Sequence, residues 1–210
     1  NYSSEELLQL IEENIDILDE EALLRAATLV KESKDKLALY NKAVEKYNSE
    51  RAQFNIAVVY LNDNDLNKAK KALDKVKTQD GDYQNAKGVI ALREGNLAEA
   101  GKLFAAAGTK AAKENAAVVD ILNGKYAEAE AKLADAECCG NKALAYILTG
   151  KLDKASAAIK CDCPKSAYLK AVIAARQGKA DAVKANLEKA GKCKELAARA
   201  AKDIEFAQFK

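Results

Sequence analysis

The 210-residue sequence has no histidine, no tryptophan, no methionine and a single proline. Without histidine the commonest general base is missing, and so is every Ser–His or Cys–His nucleophile pair. No glycine-rich phosphate loop and no Walker-type lysine motif occurs. The chain therefore reads as no enzyme, with no cofactor and no small-molecule substrate. A lone proline leaves helices almost unbroken, because proline removes an amide donor and clashes with the preceding turn. No stretch approaches the roughly 18 consecutive apolar residues of a membrane span, so no direct membrane span is expected. With no methionine and a start at Asn1, the chain reads as a processed or excised piece whose targeting segment would have been removed.

An excess of one charge is also missing. Lysine and arginine total 34 against 32 aspartate and glutamate, a net of +2, with the signs interspersed. A nucleic-acid binder concentrates basic residues on one face, so no nucleic-acid partner is expected. The lysine-rich stretch from Lys68 to Lys77 contains Asp74 and reads as a solvated helix face.

What is present is alanine, leucine, lysine and glutamate, which favour helix by propensity and make the chain all-α. One phrase recurs along it: a turn pair, an apolar residue, two polar or small residues, then alanine. The copies start at Asn64, Gly95, Gly124 and Gly150 and end at Ala69, Ala100, Ala129 and Ala155, with a weaker one from Gly178 to Val183. Their ends are spaced by 31, 29, 26 and 28 residues. Glycine at the turn suits a helix C-terminus, where a left-handed residue with a Cβ costs about 1 kcal/mol or more; asparagine tolerates it as well. Ala69/Leu73, Ala100/Phe104, Ala129/Leu133 and Ala155/Ile159 are i,i+4 pairs on one helix face. Small residues at Ala57, Gly88, Ala117, Ala143 and Ala171 precede each phrase's end by twelve positions, where they let two helices approach closely.

From about Arg51 to Ala190 these residues resemble the tetratricopeptide repeat. The match rests on the small residue in the first helix, Gly at the turn, an aromatic or leucine two residues later, and then alanine. The copies depart from the family in being shorter than its period of about 34 residues, and in mostly lacking the proline that ends many repeats. The resemblance implies a right-handed α-solenoid of helix-turn-helix repeats. One domain over 1–210 is expected: an N-terminal helix in 1–18, a degenerate repeat in 19–50, repeats at 51–80, 81–109, 110–137, 138–163 and 164–192, and a capping helix in 193–210. Asp19 is expected to cap a helix running to Val30, Asp35 to Tyr47 to be its partner, and Ser3 or Ser4 to cap the leading helix. Cys193 to Phe209 is expected to form the last helix, since a terminal repeat otherwise exposes its apolar side. The opening at residues 2 to 8 and the ending at 201 to 206 are similar to repeat regions in cell-envelope proteins of Gram-negative gut bacteria, some with an OmpA-like domain elsewhere. That likeness implies a periplasmic or outer-membrane setting; the alternative is cytoplasmic.

In the family the first helices of successive repeats line the concave face. Counted back from each phrase, the inward positions are Val58, Val89, Val118, Leu144 and Val172, then Leu61, Leu92, Ile121, Ile147 and Ala175, with Phe54 one turn earlier. That apolar stripe suits a protein or peptide partner docking as an amphipathic helix. The competing reading is that tight curvature or the chain's own terminal helix buries it. The carboxylate clamp of chaperone adaptors with this fold is missing, since its places hold Phe54, Val58, Asn85 and Val89. Arg51, Arg93 and Arg176 remain as cations along that side and read as solvated rim charges. Asp120 stands at an inter-helix position, where a carboxylate is costly unless paired. Asn62 to Asp65 superficially suggests a calcium loop, but lacks its glycine and glutamate and reads as a turn.

The five cysteines, Cys138, Cys139, Cys161, Cys163 and Cys193, fall at repeat ends. Stacked turns would bring Cys139 to Cys161 and Cys163 to Cys193 as candidate disulfides, which imply an oxidising compartment. Buried thiols packing as small hydrophobes are the competing reading. With no C-x-x-C pair and no histidine, no metal site is expected. Taken together, the sequence points to a non-enzymatic protein–protein interaction scaffold, binding a protein or peptide in its concave groove within the bacterial envelope. The alternative is a structural spacer of a larger envelope protein, with no groove ligand.

Overall fold

The computed structural model describes residues 4–137 and 139–209, apart from the side chains of Ser4, Leu7 and Cys139. Ser3 and Cys138 lie outside the described residues. The described chain is helical throughout, as the composition demands, and divides into two compact units, one ending at Ala112 and the other beginning at Lys113.

The first unit opens with α1 (Ser4–Asn14) and continues in antiparallel pairs: α2 (Glu20–Leu29) with α3 (Ser33–Tyr47), α4 (Glu50–Asn62) with α5 (Leu66–Leu73), and α6 (Gly81–Arg93) with α7 (Leu97–Ala107). The Asp19 carboxylate accepts from Ala22 N at 2.8 Å and starts α2, and Val30 closes it. One continuous core runs through this unit, from Leu23 and Leu39 through Ile56 and Leu73 to Ile90. Gly88 shows why the small position matters. A Cβ there would come within 2.5 Å of the Phe104 ring, so the bare backbone of α6 is what admits the ring of α7. Gly81 is tighter still, since its Cβ would lie 2.4 Å from the Ala107 carbonyl oxygen.

Helix α8 (Lys110–Leu122) leads into the second unit, followed by α9 (Tyr126–Lys132), α10 (Cys139–Leu148), α11 (Leu152–Ala158), α12 (Pro164–Arg176) and α13 (Ala180–Ala190). Helix α10 packs on α11, and α12 on α13. Ala117, Ala129, Leu133 and Ala145 form a small cluster, and a larger one gathers around Ile147, Ala171, Val183 and Phe206. The chain does not end in one long helix. It makes α14 (Lys194–Lys202), breaks at Asp203 and finishes in a 3-10 turn, Ile204–Phe209. The break follows from Asp203 being extended (φ −73°, ψ 127°) with its carboxylate spoken for: Oδ1 accepts from Glu205 N at 3.0 Å and Oδ2 from the Tyr168 hydroxyl.

Each recurring phrase makes the same turn. Asn64 (φ 59°), Gly95 (82°), Gly124 (75°), Gly150 (77°) and Gly178 (70°) are all left-handed. The next amide then reaches back to the carbonyl five residues before it: Asp65 to Tyr60 and Asn96 to Ala91 at 2.9 Å, Lys125 to Asp120 and Lys151 to Tyr146 at 2.8 Å, Lys179 to Ala174 at 2.9 Å. This is the helix-ending bond that a left-handed residue permits, and it satisfies a carbonyl the helix leaves orphaned. The alanines at both ends of the motif, with Leu73, Phe104, Leu133 and Ile159, are buried.

Candidate interaction surfaces

In the first unit, α4 presents Phe54, Val58 and Leu61 along one face, spaced four and three residues apart, and α6 presents Val89 and Leu92. Leu61 is buried, whereas Phe54, Val58, Val89 and Leu92 are half-buried. Phe54 and Val89 rest against the core while keeping part of their surface in solvent. The cations expected on this side are tied down. Arg51 Nη1 lies 2.7 Å from Glu21 Oε2, and the Arg93 guanidinium donates to the Leu61 carbonyl oxygen. That second bond caps the C-terminal end of α4 from the following repeat, where orphan carbonyls and the helix dipole favour a cation. Sequence reading missed this role, although the arginine's place at the last residue of its helix carries the signal.

The second unit follows the same pattern with one departure. Val118, Ile121 and Leu144 are half-buried and Ile147 is buried, as Leu61 is, but Val172, which matches Val58 and Val89, is buried at 7% exposed. The terminal turn contributes here. Phe206 is fully buried and meets Tyr168 edge-to-face, ring centroids 5.5 Å apart. Burial first, then the Asp203 carboxylate, pushes the Tyr168 phenol up to about 12. Arg176 repeats the device of Arg93, donating from Nη1 to the Ile147 carbonyl oxygen at 2.8 Å, and its Nε meets Glu205 Oε1 at 3.0 Å. A cavity of about 490 Å³ persists beside this closure, lined by Leu144, Ile147, Tyr168, Val172, Arg199 and Ile204 among others. Ile204 is 86% exposed at its rim.

Two expectations about polar groups resolve locally. Asp120 is buried and paired with the Lys132 ammonium of α9, so the cost of the carboxylate is offset by an ion pair. Residues Asn62 to Asp65 form a turn: Asp65 accepts from Lys68 N at 3.1 Å, and Asp63 from the Ser33 hydroxyl at 2.7 Å. Among the cysteines, Cys163 and Cys193 are thiols, and the Cys161 sulfur lies 3.9 Å from that of Cys163. The Cys139 side chain is outside the described residues. No helix among the described residues is long and apolar enough to cross a membrane.

Comparison with known proteins agrees with this geometry. Residues 50–83, covering α4, α5 and the start of α6, match the tetratricopeptide repeat family. A tetratricopeptide repeat protein from Parabacteroides merdae ATCC 43184 is similar in structure with a TM-score of 0.64 at 16% identity, over 90% of this chain and 84% of that one. PilW, a widely conserved type IV pilus biogenesis factor, has a TM-score of 0.59 at 20% identity, over 99% and 98% of the two chains. Pseudomonas aeruginosa pilF gives 0.59 at 15% identity, over 98% and 96%. No curated protein matches the chain by sequence. At these identities the structural likeness is one of fold.

Proposed function

From the premise that this chain carries tetratricopeptide repeats, we propose that it is a non-enzymatic scaffold that binds a protein or peptide on the apolar face of its first helices. The observation that carries the reading is the state of Phe54, Val58, Val89 and Leu92, all apolar and all left partly in solvent within the first unit. Four such side chains on two neighbouring helices offer an amphipathic helix its i, i+3, i+4 anchors. In the second unit Val118, Ile121 and Leu144 offer a shorter face of the same kind. An envelope setting, periplasmic or at the outer membrane, is supported by the likeness of the chain's two ends to envelope repeat regions. The fold shared with a type IV pilus biogenesis factor is consistent with it.

A second reading, a structural spacer with no groove ligand, draws on one observation: the terminal turn packs beside Ile147 and Val172, which are buried. The two readings separate in a capture experiment. The immobilised chain is exposed to solubilised envelope proteins, in parallel with Val89→Glu and Leu92→Glu variants whose helicity is checked by circular dichroism. A protein retained by the wild type and lost, at least tenfold, from both variants supports the groove. Equal retention by all three overturns it in favour of the spacer.

A further inference from the structure

Cys161 and Cys163 flank Asp162 in the connection between α11 and α12, and both are exposed. Exposure removes the reading of these two as small hydrophobes packed in a core. Their sulfurs are 3.9 Å apart, and a third group joins them: the Ser166 hydroxyl lies 2.8 Å from the Cys161 sulfur and 3.4 Å from that of Cys163. Ser166 is itself buried, so its hydroxyl is held in place by the first turn of α12. Cys163 stands at the N-cap position of that helix, with Pro164 next. The charged neighbours are Lys160, Lys165 and Asp162, whose carboxylate stands 3.9 Å from the Lys170 ammonium.

We propose that Cys161 and Cys163 form a reversible dithiol modification site, at which Cys163 reacts with a small-molecule disulfide and Cys161 resolves the product into a disulfide between the two. In the first step the Cys163 thiolate attacks one sulfur of the oxidant. A mixed disulfide forms, the oxidant's S–S bond breaks, and one thiolate leaves with the electron pair and takes a proton from water. In the second step the Cys161 thiol loses its proton to water and its sulfur attacks that of Cys163, expelling the second thiolate. The protein dithiol is oxidised by two electrons, and the small disulfide is reduced to two thiols. Closing 3.9 Å to the bonding distance of about 2.05 Å is within reach of side-chain rotation in an exposed loop. An exposed disulfide with a single residue between its halves belongs to the labile class, which makes the step reversible.

The order of the two sulfurs follows from the hydrogen bonds. The Ser166 hydroxyl and amide, then the Cys161 thiol and the Lys165 amide, bring the Cys163 thiol down to about 7 against the opposing effect of burial. Half of it is then thiolate at pH 7, against a few per cent for an ordinary thiol near 8.5. Because nucleophilicity falls along with basicity, the net gain at neutral pH is only about threefold. The midpoint of the pH–rate profile is therefore the sharper readout.

The test uses the whole chain in a buffer of reduced and oxidised glutathione, quenched with acid, alkylated and cut with trypsin. Cleavage after Lys160 and Lys165 releases peptide 161–165 with both cysteines. From the wild type this peptide is expected two hydrogens lighter and free of glutathione, and reverts on adding reduced glutathione. Cys161→Ser is expected to stop with glutathione on Cys163. The iodoacetamide rate at Cys163 is expected to have its midpoint near pH 7, moving up toward that of an ordinary thiol in Ser166→Ala. Glutathione retained on Cys163 in the wild type, a bridge from Cys163 to Cys193, or a midpoint near that of an ordinary thiol would each overturn the proposal.

Discussion

The two units make the same turn by the same backbone route and start the helix after it with different chemistry. In the first unit Asp19, Ser49, Asp65, Asp80 and Asn96 each stand before a helix, and each side chain accepts from an amide of the first turn, at distances of 2.8 to 3.2 Å. In the second unit the matching places hold Lys125, Lys151, Cys163, Lys179 and Cys193, and none supplies a side-chain cap. Yet Asp65 (φ −89°, ψ 79°), Asn96 (−85°, 77°) and Lys179 (−92°, 80°) share one conformation. Turn geometry is thus set by the left-handed residue and the amide that reaches back across it; the cap adds stability without deciding the path. The second unit has a substitute of its own, the terminal turn with Phe206 fully buried.

If that turn is what compensates, removing its anchor gives the largest effect. Phe206→Ala is expected to destabilise the second unit by about 3–5 kcal/mol, the cost of emptying an aromatic site in a core. Hydrogen exchange reads the outcome, with protection falling in α12 and α13 while α4 to α7 serve as the internal reference. An equal loss throughout the chain would show that the units unfold as one and would erase the distinction.

A smaller effect probes the same anchor by pH. The folded Tyr168 phenol, at about 12, lies above its unfolded value of about 10, so the neutral form is the one the fold favours. Its contribution is complete below pH 10 and is lost as pH rises through 12. It amounts to at most about 2–3 kcal/mol for a shift of that size. Urea unfolding of the wild type is expected to weaken over this window more steeply than that of Tyr168→Phe. Tyr40 in the first unit is also raised by burial but remains in both proteins, so the difference between them isolates Tyr168. Parallel curves would mean the Tyr168–Asp203 contact adds nothing.

The parts of this fold that were legible in sequence are those written in local geometry. Five left-handed turns were readable because only glycine and asparagine occupy them cheaply, and the buried i,i+4 pairs followed from helical period. Burial along the inner stripe was not readable. Leu144 and Val172 hold corresponding places in the phrase, yet one is half-buried and the other buried, because contacts from distant sequence decide it. The break at Asp203 was missed for the same reason: its carboxylate is claimed by Tyr168, 35 residues away. Arg93 and Arg176 were read as rim charges because their partners are backbone carbonyls, which carry no side-chain signature.

The mildest change restores to the second unit what the first already has. Lys179 shares the backbone of Asp65 and Asn96, so an aspartate there meets the first-turn amides without rearrangement. Lys179→Asp is expected to stabilise the second unit by about 1 kcal/mol, within the usual 0.5–2 kcal/mol of a side-chain cap. Replacing a cation with an anion at a helix N-terminus adds a few tenths of a kcal/mol in the same direction. Lys151 would be a poorer choice, because its ammonium holds Glu130 at 2.6 Å and that pair would be lost. The converse change, Asp65→Ala, removes a cap from the first unit and should cost a similar amount there. Urea midpoints moving in opposite directions by similar amounts would place the difference between the units in their caps. No gain from Lys179→Asp would mean that the second unit's turns are limited elsewhere, with the short α9 and α11, seven residues each, the next elements to lengthen.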